Sequence, residues 1–146
     1  MVNIMKENKN VLDELNKGCT MGMNAIEAIL DKVEDKKFKN VLKDEYKKYK
    51  KIHQKIEDKY HEFSDENPTE TNALNKAMIW SMLNIKTIAD TSNSKLSEIL
   101  LQGTNMGIIE GRKLINNKDM DKDIKNISEE FIKMQEESVE TLKEYL

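Results

Sequence analysis

Apolar and small residues recur at positions 12, 15, 19, 22, 26, 29 and 33, with spacings that alternate between three and four. That rhythm lays one stripe along a helix and predicts a helix over residues 9–34. Asp35 stands where an N-cap belongs. The next helix runs to about Phe63, striped by Phe38, Leu42, Glu45, Tyr49, Ile52, Ile56 and Phe63. A turn this short makes the two helices antiparallel neighbours. The polar stretch from Ser64 to Thr71 then breaks the pattern and holds the only proline, Pro68. A shorter helix is predicted over residues 72–90, and Thr91 to Ser94 supply cap residues for another. A stripe at Leu96, Ile99, Gly103, Met106, Glu110 and Leu114 predicts a helix over 95–116. After a turn at Asn116–Asp119, a stripe at Ile124, Ile127, Phe131, Met134, Ser138, Leu142 and Tyr145 predicts a last helix over 120–146.

The two hairpins are written alike. Gly18-Cys19-Thr20-Met21-Gly22-Met23 is answered, 85 residues on, by Gly103-Thr104-Asn105-Met106-Gly107-Ile108. Asp35-Lys36-Lys37-Phe38-Lys39-Asn40-Val41 returns as Asp121-Lys122-Asp123-Ile124-Lys125-Asn126-Ile127, at an offset of 86. The expected architecture is a single all-α domain over residues 1–146. It has an antiparallel hairpin at 9–63, a crossover at 64–94 carrying an extra helix, and a second hairpin at 95–146. Two hairpins joined by one long connection make a four-helix bundle, here with pseudo-twofold symmetry. Glycine inside a helix costs about 1 kcal/mol relative to alanine, so Gly18, Gly22, Gly103 and Gly107 call for a packing reason. The expectation is that the helices carrying them cross there. The rival reading is that they clear room for a ligand, although Met21, Met23 and Met106 beside them suit gap filling better.

Composition narrows the function more than it defines it. Charged residues are 35% of the chain and aromatics 5%, which favours long exposed helices. Arg112 is the only arginine, and Lys, Asn and Ile usage points to an AT-rich bacterial genome. A net charge of −3 argues against general nucleic-acid binding. No apolar leader and no run of about 18 apolar residues is present, so a cytoplasmic protein is expected, with no membrane partner. Cys19 has no second cysteine for a disulfide or a zinc site and reads as a small hydrophobe. Charge also separates the repeats. Residues 36–59 hold ten lysines against four acids, whereas residues 121–146 hold four against eight.

With Gly22, the stretch from Leu74 to Trp80 and Gln102-Gly103-Thr104-Asn105-Met106-Gly107 in place, the chain resembles the ferritin-like superfamily. Within it, the chain is similar to small bacterial bundles of uncharacterised function, over roughly Leu12 to Leu146. Ferritin-like proteins with a two-metal site carry Glu on two helices and Glu-x-x-His on the other two. The resemblance therefore implies carboxylates and imidazoles converging in the bundle. The chain departs from that set. His53 and His61 both lie on the second helix, with Lys50 and Asp58 three residues before them, and the last helix has no histidine.

Two function classes follow. The first is a non-catalytic bundle acting by self-association or protein binding, with no cofactor and no catalytic residues. A homodimer centred on Trp80, Ile79 and Leu83 of the apolar crossover is its expected form, with deeper burial in the monomer as the alternative. The second is a carboxylate-based metal-binding or metal-dependent oxidase variant. It would use Glu27, Glu45, Glu110 and Glu130 for iron, manganese or zinc. No nucleophile–base pair, phosphate loop or dinucleotide fingerprint is present in the chain.

Overall fold

The Asp35 carboxylate accepts a hydrogen bond from the Phe38 backbone N–H at 2.9 Å, and a helix starts there as the cap position predicts. The computed structural model describes residues 4–70 and 88–146. Within them lie four helices: α1 (Ile4–Leu30), α2 (Lys36–Tyr60), α3 (Asn93–Asn117) and α4 (Lys122–Lys143). All regular structure among the described residues is helical. The helix expected over 72–90, with Trp80, Ile79 and Leu83, falls almost entirely on residues 71–87, outside those described. No helix among the described residues is long and apolar enough to cross a membrane.

The helices pack as a square bundle. α1 packs most closely on α2, and α3 on α4; α1 also touches α3, and α2 touches α4. Bonds at the bundle ends set the directions. The Asn93 amide donates to Asp35 at 3.2 Å, so α3 begins beside the α1–α2 turn. At the other end, the Asp119 and Asp121 backbone N–H groups donate to Glu7 at 3.2 Å and Asn8 at 2.9 Å. α3 therefore runs antiparallel to α1, and the connection from α2 to α3 must return the length of the bundle. Its first part is fastened to α1. The Thr69 N–H donates to Asp13 at 2.8 Å, and its carbonyl accepts from the Asn16 amide at 3.2 Å.

The core follows the repeat more faithfully than the apolar stripes did. Leu12, Leu15, Cys19, Ile26 and Ile29 of α1 are buried, as are Phe38, Leu42, Glu45, Tyr49, Ile52 and Ile56 of α2. Carried forward by 86 residues, the α2 set gives Ile124, Ser128, Phe131, Gln135, Ser138 and Leu142, and every one is buried. The α3 stripe is displaced from the expected one. Leu96 and Ile99 are buried, but Gly103, Met106 and Glu110 are exposed, and Ser97, Leu100, Leu101, Thr104 and Gly111 face inward instead. Phe38 stacks on Tyr145 with centroids 4.5 Å apart, and Tyr49 meets the edge of Phe131 at 6.0 Å.

Candidate functional site

Glycine at position 22 makes room for an aromatic ring. A Cβ built there would lie 2.8 Å from Cζ of Tyr49, inside any normal contact distance. At the repeat-equivalent Gly107 it would meet the Gln135 amide, with Cδ at 3.0 Å. Tyr49 and Gln135 are themselves equivalent positions. Each of these glycines is therefore a notch for a long side chain of the other helix in its own hairpin. A Cβ added at Gly18 would meet the Phe131 ring, across the bundle, at an ordinary 3.5 Å, and one added at Gly103 would have nothing within 4 Å. A Cβ added at Gly111, which lies outside both repeat segments, would press on Ile132 at 2.9 Å.

Between these notches sits a polar layer. Tyr49 is buried, and burial drives its phenol well above the ordinary range; a hydrogen bond with Thr104 opposes that rise. The Cys19 thiol donates to the Tyr49 backbone carbonyl at 3.0 Å, and burial pushes it up to about 12. The His53 backbone opposes that rise. His53 is otherwise engaged: Nδ1 lies 2.7 Å from Asn16 Oδ1, and Nε2 lies 3.0 Å from Glu57. Asn16, fully buried, thus ties His53 to the Thr69 carbonyl. The hydroxyls of Thr20, Thr104 and Ser128 return to carbonyls four residues back in their own helices. The buried polar groups are thus divided between bonds within one helix and bonds across elements.

The four carboxylates expected to share a site are dispersed. Glu27 is exposed and accepts from the Tyr46 hydroxyl at 2.8 Å, a bond that raises the Tyr46 phenol. Glu110 is exposed and pairs with Lys113 at 3.5 Å; Glu130 is exposed and pairs with Lys55 at 2.6 Å. Among the described residues, no three His, Cys, Asp or Glu side chains gather where one metal ion would be held. Glu45 alone points inward, only 2% exposed. One of its oxygens meets Lys48 at 3.2 Å, and the other is buried without a hydrogen-bond partner. Only the Asn8 side-chain nitrogen shares that condition among the described residues.

A cleft of about 570 Å³ lies between α1 and α3, beside Thr69. Glu7, Glu14, Lys17, Glu110 and Lys113 line it, so it presents both signs of charge and no single field. Nothing in the stripes foretold the cleft, Gln135 or Asn16. The offset of 86 residues from Tyr49 was the available signal for Gln135. Asn16 carried none, because its equivalent is Leu101. The chain matches no family profile, no curated protein and no solved structure.

Proposed function

We propose that this chain is a ferritin-like helical bundle that acts in the cytoplasm by protein association rather than by catalysis. The equivalent notches at Gly22 and Gly107 support a pseudo-twofold pair of hairpins, and the antiparallel course of α1 and α3 supports the long crossover. The observation that carries the association reading is the pair of oppositely charged faces. The exposed side of α2 is rich in lysine, that of the adjacent α4 is rich in glutamate, and many of these charges have no partner within the described chain. The buried polar groups support the same reading, since His53, Cys19 and Asn16 are spent on internal bonds.

One observation favours the second reading, a carboxylate-based metal site. The unpartnered buried oxygen of Glu45 is a group that a cation would satisfy. The donor set does not fit the two-metal centre that the ferritin-like resemblance implies, because Glu27, Glu110 and Glu130 face solvent with partners of their own. Metal analysis of the purified protein, alongside Glu45→Ala, separates the two readings. We expect no stoichiometric iron, manganese or zinc. Stoichiometric metal that is lost in Glu45→Ala would overturn the non-catalytic reading.

A further inference from the structure

The outward positions of α2 carry Lys36, Lys43, Lys47 and Lys51, all exposed. Those of α4 carry Glu129, Glu137, Glu140 and Glu144, also exposed. Three contacts fix how the antiparallel helices stand side by side: Lys59 with Asp123 at 3.3 Å, Lys55 with Glu130 at 2.6 Å, and Phe38 on Tyr145. On that ladder Lys43 stands level with Glu140 and Lys47 with Glu137. Nearer the far end Asp58 stands level with Lys125, and between them Lys51 stands level with Lys133, the one like-charge rung among these outward positions. Among the described residues, no ion pair engages Lys36, Lys43 or Lys51 on α2, or Glu129, Glu137 or Glu144 on or just past α4. Lys133 interrupts the acidic strip.

A flat polyanion, such as a nucleic acid or an anionic membrane, suits this face poorly. Packed helices lie about 8–10 Å apart, so an anion seated on α2 would also meet the α4 carboxylates within about one Debye length. A second copy of this chain offers the complement. A face-to-face twofold axis across the helices would set lysine on lysine. An axis parallel to the helices sets α2 of each copy on α4 of the other and leaves every height unchanged, so the level pairs above become contacts.

We infer that the α2–α4 face binds the same face of a second copy about a twofold axis parallel to the helices, the lysines of each α2 lying on the glutamates of the partner's α4. The inference rests on the association reading above and names its partner. The face is large enough. α2 is about 37 Å long, and two helices side by side span about 20 Å, which gives a footprint near the ~800 Å² per partner of an ordinary interface. Being almost wholly charged, the contact is a reversible one whose strength depends on salt.

Sedimentation equilibrium tests it. The wild-type chain should dimerise in ~20 mM salt and lose at least tenfold in association constant by ~500 mM, as screening removes the contacts. Lys43→Glu/Lys47→Glu and Glu137→Lys/Glu140→Lys should each be monomeric at low salt. Mixed in equal amounts they should form a 1:1 dimer, because the two reversed strips then meet each other and the two native strips do the same. Helical content by circular dichroism checks that both fold, and Lys43→Gln/Lys47→Gln, which should also be monomeric at low salt, replaces a variant that does not. A monomeric wild type at low salt, or association unmoved by either variant, would overturn the inference. Open-ended assembly of the mixture would replace the closed dimer with head-to-tail contact. A monomer that also lacks metal leaves the non-catalytic bundle standing without this partner, so the two proposals fail separately.

Discussion

Two glycines that occupy like places in the repeat should respond to alanine with opposite signs. At Gly103 nothing lies within 4 Å of the added methyl, on an exposed face of α3. Gly103→Ala should therefore gain the helix preference alone, about 0.5–1 kcal/mol. At Gly22 the same gain is available, but the methyl would sit 2.8 Å from Cζ and 3.0 Å from Cδ1 of Tyr49. That ring is 4% exposed and wedged against Phe131, so it has nowhere to swing. Overpacking of this kind costs about 1–3 kcal/mol, which leaves Gly22→Ala less stable than wild type by about 1 kcal/mol. The two variants should thus differ by about 2 kcal/mol, or roughly 4–8 °C in Tm for a chain of this size. Urea unfolding followed by circular dichroism, with unchanged m, measures the difference. In a Tyr49→Leu background the Gly22→Ala penalty should vanish, since the ring that opposes it is gone. Gly22→Ala as stabilising as Gly103→Ala would refute the notch.

Two further expectations follow from single side chains. Asp35→Ala should lower the urea midpoint by removing the cap of α2. The Phe38 N–H, and then the Asn93 amide, hold the Asp35 carboxyl below its ordinary value of 3.8, so its stabilisation is complete above that pH and fades as pH falls further. The gap between wild type and Asp35→Ala should therefore hold above 3.8 and narrow as pH falls below it; a gap that stays constant would rule out the charged cap. Cys19, with its thiol held near 12, should resist a thiol-specific reagent at mildly alkaline pH in the native protein and react fully in denaturant. Rapid native labelling would show that the thiol is not buried as described.

The hairpins and caps were legible because they rest on local chemistry. Asp35 needs only its own turn to act, and the stripe from Leu12 to Ile29 needs only helical spacing. The α3 stripe departs from the observed core because there the repeat, and not hydrophobicity, marks the inward positions. Shifted by 85 residues, Leu12, Leu15, Cys19, Gly22 and Ile26 give Ser97, Leu100, Thr104, Gly107 and Gly111, and all but the partly buried Gly107 are buried. Small and polar residues hold all of those inward places but that of Leu100, while Met106 and Ile109 lie outside at 55% and 54% exposure. The same blindness hid Gln135. The dispersal of Glu27, Glu110 and Glu130 was not legible, because a rotation of one residue separates an inward carboxylate from a solvated one. Asn16 and Thr69 meet through tertiary contact across 53 positions, which no periodicity encodes.

The two hairpins, alike in plan, are unlike in content. Where the first has Leu42, Tyr49 and Ile52, the second has Ser128, Gln135 and Ser138; where the first has Glu45, the second has Phe131. Separate identical hairpins meeting as a pair would carry every mutation twice, so a bulky gain on one side would be a bulky gain on both. Joined in one chain, the halves can carry different residues at equivalent places, as Phe131, standing where the first half has Glu45, meets Tyr49, where the second has Gln135. Each half has thereby become the mould of its neighbour. Two first halves would bring Glu45 where Phe131 is needed, and two second halves would leave hydroxyls and an amide where Leu42, Tyr49 and Ile52 now fill the centre. The connection between the hairpins is in this sense what allowed the halves to stop being copies.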